Sequence, residues 1–282
     1  MPLLSRKADS NKGDHGALGI VGGGPGMVGA AFLAARTALY CGTGRVYVVR
    51  PSLQDHYVLD PLTPEVMVID AAQSKQKPIN AWVIGPGLGT SDAAHQLIAD
   101  MLGRDQPMVI DADGLNLMAE DPALGRQCAR RSAPTIITPH PGEASRLLAL
   151  SVEHIQSHRP QCAQQLAEKL NAVAVLKGHQ TVIASPQDGL TINDTGNAAL
   201  ATAGTGDVLA GLIGALIAQG VTAQHAAIEG ARIHGIAAQQ AAVQACRIHG
   251  MAAEVLTKKI GGMIGITASE LIPEIRRLIN AA

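Results

Sequence analysis

Short runs of apolar, mostly β-branched residues recur along the chain, and several are apolar at every position instead of alternating. Ala17–Val21, Arg45–Val49, Val66–Ile69, Ala81–Ile84, Met108–Asp111, Thr135–Thr138 and Val173–Leu176 all read as strands. A strand without alternation has both faces covered, which is the signature of a parallel sheet sandwiched between helices. Ala/Leu-rich stretches at Gly29–Cys41, Ser91–Leu102, Pro141–Leu150 and Pro160–Asn171 supply those helices. A β-rich patch follows, with Thr181–Ala184 and Leu190–Ile192 as strands, and the remainder reads as helix. The order predicts an α/β fold with a central, mostly parallel sheet covered by helices on both faces. No Pro/Ser/Gly linker interrupts it, so residues 1–282 are expected to form a single domain. Its ligands should lie beyond the carboxyl ends of the strands.

Charge and composition then remove whole classes of function. Lys+Arg of 22 against Asp+Glu of 23 leaves a net charge of −1, without the basic excess that nucleic-acid binding requires. Aromatics are only 2% of the residues, too few for a base-stacking platform. The cysteines Cys41, Cys128, Cys162 and Cys246 show no CxxC pair or metal-finger spacing and read as small core residues of a reducing compartment. The first residues lack the apolar stretch of a signal peptide, and the run from Val208 to Val221 is too short and glycine-broken for a membrane span. The expectation is a cytoplasmic protein.

Glycine clusters follow the strands. Gly22–Gly29 contains Gly24, Gly26 and Gly29 in GxGxxG spacing, so a dinucleotide-binding turn has to be weighed. The next strand ends in Arg50 where an acidic residue would bind ribose, a position suited instead to a 2′-phosphate. Pro25 within the turn favours a tight strand-to-helix turn lining another ligand. Gly85–Gly89 repeats the pattern, with Ser91 placed to cap the following helix. A third cluster, Asn193–Asn197 and Ala203–Asp207, opens an apolar helix. Backbone N–H groups at Gly204, Thr205 and Gly206 would form an anion hole there. A carboxylate at Asp207 would repel a bound phosphate, unless it is the base that deprotonates a hydroxyl attacking phosphorus. Helix-terminal charge stabilisation is the bland alternative. No Gly-Lys-Ser/Thr sequence occurs, which excludes a P-loop.

Three further segments end strands. Lys177-Gly178-His179-Gln180-Thr181 could contact a nucleotide or form a solvated hairpin. In Thr138–Glu143 two prolines hold His140 in an extended segment. Asp111–Asn116 sets two carboxylates and an amide together, with metal, ligand and capping roles all open. Arg232–Gly235 recurs as Arg247–Gly250, a small duplication lengthening an Ala-rich helix.

Taken together, these motifs resemble the ADP/ATP-dependent NAD(P)H-hydrate dehydratases of the ribokinase-like superfamily. Lys12–Gly16 with the cluster after it, Gly85–Gly89, Asp111–Asn116, Thr138–Glu143, Lys177–Thr181, Asn193–Asp207 and Thr267–Leu271 carry the likeness, from about residue 10 to 280. The resemblance implies a ribokinase-like fold and a cofactor-repair reaction. The S epimer of NADHX or NADPHX is dehydrated to NAD(P)H, with ADP converted to AMP and phosphate, or with ATP as donor. It implies Asp207 as catalytic base, Ala30, Gly87, His140 and Asp207 around the hydrated nucleotide, and Lys177, Gly178, His179, Gln180, Thr181 and Gly206 around the adenine nucleotide. Mg²⁺ would bridge the phosphates, with its protein ligands unspecified. A homotetramer and a separate NAD(P)HX epimerase are further expectations, since no epimerase domain precedes residue 10. A ribokinase-like kinase for a vitamin precursor or sugar alcohol is the alternative enzyme, and non-enzymatic nucleotide binding the alternative class.

Overall fold

A computed structural model describes residues 6–51, 59–187, 189–220 and 230–281, the stretch 230–237 by its backbone alone. The strands are β1 (Ala17–Val21), β2 (Arg45–Val49), β3 (Met67–Ile69), β4 (Ala81–Ile84), β5 (Met108–Ile110), β6 (Thr135–Ile137), β7 (Val173–Leu176), β8 (Thr181–Ser185) and β9 (Gly189–Asn193). They form one sheet in the order β3-β2-β1-β4-β5-β6-β7-β8-β9. Every pairing from β3 to β7 is parallel, and β8 and β9 extend the sheet antiparallel. The chain leaves β1 outward through β2 and β3, then returns to place β4 on β1's other side. The β1/β4 boundary is therefore the topological switch point, where such sheets open a crevice.

The helices are α1 (Val28–Tyr40), α2 (Ala71–Ser74), α3 (Asp92–Leu102), α4 (Asp113–Glu120), α5 (Pro122–Ala129), α6 (Pro141–Leu148), α7 (Val152–Ser157), α8 (Arg159–Leu170), α9 (Thr205–Ala218), α10 (Gly230–Ile260) and α11 (Ala268–Ala281). The complete burial of the central strands follows from two cores, one on each face. Leu18 and Ile20 of β1 enter the core beneath α1, α9, α10 and α11, whereas Ala17 and Val21 enter the one beneath α3–α6 and α8. Alternation is present, then, but both faces are apolar, as read from the sequence.

Helix α9 is buried on nearly all sides. A Cβ on Gly211 would lie 2.3 Å from the Ala34 carbonyl oxygen, so glycine there lets α9 sit directly on α1. That contact fixes where the first turn of α9 emerges above the sheet. Both copies of the duplicated Arg-Ile-His-Gly segment fall within α10.

Most boundaries shift by a residue or two from expectation, and at two of them the physical reason is visible. Strand β3 begins at Met67, because the Val66 N–H turns back to the Thr63 carbonyl. Helix α6 ends at Leu148, where Ala149 takes φ +55° and the Leu150 N–H caps the Ser145 carbonyl. Among the described residues no helix is long and apolar enough to cross a membrane.

Candidate active site

The motifs read from the sequence converge at the carboxyl ends of the parallel strands. After β1 and β4 the two glycine turns are joined backbone to backbone: Gly23 N–H donates to the Pro86 carbonyl at 3.0 Å, and Gly24 N–H to that of Gly87 at 2.6 Å. Gly87 has φ +57°, and a Cβ on it would lie 2.4 Å from the Met27 carbonyl oxygen and 3.2 Å from the Ala30 Cβ. Ala30 and Gly87 are thus neighbours across the switch point. Arg50, which the sequence offered to a 2′-phosphate, is 3% exposed and donates from Nε to the Gly23 carbonyl at 2.9 Å. It braces the turn.

The turn after β5 places Asp111 and Asp113 differently. Asp111 is buried and accepts from Lys177 Nζ at 2.7 Å, joining positions 66 residues apart. Asp113, in the first turn of α4, accepts from the Gly89 N–H at 2.8 Å. Asn116 bonds Asp113 and accepts from Arg146. The segment thus carries an ion pair and a loop clamp, while no side chain caps α4, one of the roles left open for it.

His140 is the N-cap of α6, held extended at φ −78°, ψ 167° between its prolines. Its Nδ1 accepts from the N–H groups of Gly142 (2.9 Å) and Glu143 (3.3 Å), leaving Nε2 protonated and 3.3 Å from Glu143 Oε1. Burial, with Lys177 and Arg146 nearby, pulls the imidazole's pKa below its ordinary value, so it is neutral at pH 7. Glu143 returns the cap by accepting from the His140 N–H at 2.7 Å. It is 4% exposed, and its Oε2 lies 4.0 Å from Lys177 Nζ. Burial and the like charge of Asp111 push Glu143 up to about 7, against the opposing pull of Lys177.

Lys177 stands between these carboxylates. Burial alone would discharge it, but Asp111 and Glu143 hold it protonated above the usual lysine range. A Cβ on Gly206 would lie 3.4 Å from its Nζ and 3.8 Å from Asp111 Oδ2, so the ammonium rests against the first turn of α9. There the Gly206 and Asp207 N–H groups have no intrahelical partner. Gly204 forms the left-handed cap at φ +89°. The Thr205 N–H and hydroxyl are spent on neighbouring carbonyls, which concentrates the anion-binding capacity on the residues after it. Asp207 is pushed up to about 6 by burial first, then by Asp111, with Lys177 pulling it down.

Beside this cluster lies a cavity of about 580 Å³. Lys177, Gly178, His179, Gln180 and Thr181 form one wall, Thr205 and Gly206 the floor, and the 193–198 loop with α10 the far side. Ala30, Gly87, His140 and Asp207 are not among its lining: Ala30 and Gly87 stand at the switch point, His140 caps α6 after β6, and Asp207 lies in the first turn of α9. The predicted residues therefore divide into those that line this cavity, Lys177–Thr181, Thr205 and Gly206, and those that lie outside it. Sequence reasoning missed the ion pairing of Asp111 and Glu143 with Lys177, and it missed Cys246 and His249 of α10 in the cavity wall. The only available signal for His249 was the duplicated segment, which does not distinguish it from His234.

Comparison with known proteins follows the same lines. The NAD(P)H-hydrate dehydratase family matches residues 18–262. The ADP-dependent (S)-NAD(P)H-hydrate dehydratase of Neisseria meningitidis is 42% identical, over 98% of this chain and 89% of its own. The bifunctional NAD(P)H-hydrate repair enzyme of Escherichia coli is 38% identical over 99% of this chain, which spans 50% of that longer protein. Among solved structures, the ADP/ATP-dependent NAD(P)H-hydrate dehydratase of Bacillus subtilis, co-crystallised with ATP/Mg²⁺, superposes with a TM-score of 0.78 at 31% identity, covering 100% of this chain and 94% of that one.

Proposed function

Because the chain belongs to the NAD(P)H-hydrate dehydratase family, on the ribokinase-like fold, we propose that it repairs the S epimer of NADHX and NADPHX with ADP as phosphoryl donor. The observation that carries this reading is the meeting of Asp207, Lys177 and the first turn of α9 at the boundary between two half-sites. One half, around Ala30, Gly87 and His140, takes the hydrated nicotinamide nucleotide. The other, lined by Lys177–Thr181 and Gly206, takes the adenine nucleotide.

Asp207 removes the proton of the hydrate hydroxyl, whose oxygen attacks the terminal phosphorus of ADP. The new P–O bond forms as the bond to the bridging oxygen breaks, and AMP departs. The phosphorylated carbon then expels phosphate while its neighbour gives up a proton to the departing phosphate, restoring the ring double bond. Phosphorylation is required because hydroxide is a poor leaving group. A carboxylate with pKa about 6 is ionised at pH 7 yet basic enough to accept a proton in the transition state. Lys177 and the Gly206 N–H face the charge that develops on the transferred oxygens.

Among the described residues no group of three or more His, Cys, Asp or Glu forms a metal cage. Mg²⁺ takes phosphate oxygens and water with one or two carboxylates, and Asp111 and Glu143, beside Lys177, would be the carboxylates to hold it. When bound it neutralises phosphate charge.

The whole length, 1–282, is read as one dehydratase domain. An NAD(P)HX epimerase is its functional partner, converting the R epimer that this site does not use. Apolar residues exposed on the edge strand β9, Leu190 and Ile192, and beyond α10, Met263 and Ile264, support assembly into a homotetramer. All four cysteines are buried and unbridged, in keeping with a cytoplasmic setting.

The test mixes purified protein with Mg²⁺, NADHX and either ADP or ATP, and follows regenerated NADH by absorbance. A nucleotide-dependent rise that Asp207→Asn abolishes while still binding ADP supports the assignment, and the two nucleotides compared identify the donor. A flat trace from folded, ADP-binding protein refutes it and turns the search to alcohols as phosphoryl acceptors.

A further inference from the structure

One peptide unit aims Lys177 into its carboxylate cluster. The Leu176–Lys177 peptide closes β7, and other elements engage both of its polar groups. The Lys177 N–H donates to the Pro139 carbonyl after β6 at 2.8 Å, and the Leu176 carbonyl accepts from Arg159 Nη2 at 2.8 Å. A peptide is planar, so bonds at its two ends fix its tilt, and with it the direction in which the Lys177 side chain leaves the backbone. That direction carries Nζ to 2.7 Å from Asp111 Oδ1 and 4.0 Å from Glu143 Oε2.

Arg159 is an odd residue for its place. It opens α8, with Pro160 after it and an N-cap, His158, that contributes no side-chain bond. A cation in a helix's first turn opposes the helix dipole, and this guanidinium also gives up water to sit half-buried. What it gains is the turn after β7. A Cβ on Gly178 would lie 2.8 Å from its Nη1, 3.0 Å from Nη2 and 3.1 Å from Cζ, so the guanidinium fills the space a side chain would take. Glycine at φ +147° leaves that space open. Gln156 of α7 accepts from Nη1 at 2.9 Å, which holds the planar fork in orientation. Arg159 is not in the cavity lining, so it acts through the turn alone.

We infer that Arg159 is a positioning residue for phosphoryl transfer: by holding the Leu176–Lys177 peptide and packing beside Gly178, it keeps the Lys177 ammonium aimed at the transferred phosphate. The inference rests on the reading of Lys177 as the cation at that phosphate.

A double-mutant cycle of Arg159→Met and Lys177→Met tests it, read as kcat for NADH formation from NADHX and ADP by protein shown to be folded. Arg159→Met is expected to lose about tenfold or more in kcat, with the KM for NADHX within about twofold of wild type, because a misdirected ammonium fails the transition state and not the acceptor. In the Lys177→Met background the same substitution should cost less than about twofold, since the group it positions is gone. Arg159→Lys, which keeps a donor for the Leu176 carbonyl, should recover part of the loss. Losses that multiply in the double variant, a wild-type kcat in Arg159→Met, or an Arg159→Lys variant no faster than Arg159→Met overturn the inference. Where Lys177→Met turns over too slowly to measure, the cycle is read on ADP affinity by calorimetry with the same criterion. If Arg159→Met does not fold, Arg159→Gln takes its place. Wild type that forms no NADH, or Lys177→Met as active as wild type, refutes the reading of Lys177 and the inference with it. Multiplying losses beside an impaired Lys177→Met leave that reading standing and remove only the role of Arg159.

Discussion

Replacing either charged neighbour of Asp207 should move the acid limb of the pH–rate profile, and the two replacements should move it in opposite directions. Asp207 must be ionised to accept the hydroxyl proton, so activity is lost as pH falls through its pKa. In wild type that limb is expected near pH 6. The displacement from 3.8 to about 6 corresponds to ~3 kcal/mol in favour of the protonated form. Burial contributes most, Asp111 adds to it, and Lys177 opposes it. Two unit charges within one partly buried site interact by on the order of 1–3 kcal/mol at an effective dielectric of ~20, which is about one pH unit or more on the limb. Asp111→Asn removes a like charge and shifts the limb down; Lys177→Met removes the stabilising cation and shifts it up. Both variants will be slower, Lys177→Met because the nucleotide loses its ammonium contact, but the position of the limb is independent of the height of the profile. The assay is the initial rate of NADH formation from pH 5 to 8 with NADHX and ADP well below saturation, so that free-enzyme groups are reported. Limbs that move together, or a wild-type limb below pH 5, would refute Asp207 as the titrating base.

The same shift predicts a stability effect. A carboxyl whose folded pKa is raised binds more protons folded than unfolded between pH 4 and 6, so wild type loses stability as pH rises through that window. Asp207→Asn should therefore be more resistant to urea than wild type by about 1–3 kcal/mol at pH 8, with the advantage vanishing towards pH 4; a pH-independent difference would contradict it. Gly211→Ala would press a methyl against the Ala34 backbone of α1 and should cost about 1–3 kcal/mol, read as a lower urea midpoint. Gly87→Ala should raise the KM for NADHX at least tenfold while leaving ADP affinity within twofold, because its methyl would strike Met27 and Ala30 on the switch-point side only; equal losses for both ligands would show that the half-sites are not separate.

The strands were legible because burial on both faces writes a local signature, continuous apolar residues over four or five positions. Ala81–Ile84 is read correctly for that reason, and Val66 is misread because its apolar side chain is buried by a turn and not by strand pairing. The place of Asp207 in the first turn of α9 was legible because a carboxylate at a glycine-opened helix start is locally odd. The Lys177–Asp111 pair was not, since it depends on β5, β6 and β7 lying side by side, an order that no local pattern encodes. Glu143 carried no local mark beyond closing the Thr138–Glu143 segment, and only tertiary packing sets it against Lys177. His249 and His234 occur in identical sequence, so what separates them is which turn of α10 passes the 193–198 loop.

The cavity stands on the antiparallel end of the sheet, whereas the glycine turns stand on its parallel middle. On the proposed reading, Ala30, Gly87 and His140 on the acceptor side come from the first half of the polypeptide and Lys177–Thr181 on the donor side from the second, with Lys177 and the α9 terminus between them. Changes that retune the choice of phosphoryl donor can therefore accumulate in β8, β9 and α10 without disturbing recognition of the damaged cofactor. Descendants of such a chain could exchange one energy currency for another while their repair target stays the same, and a chimera spliced between β6 and β7 would inherit each preference from a different parent.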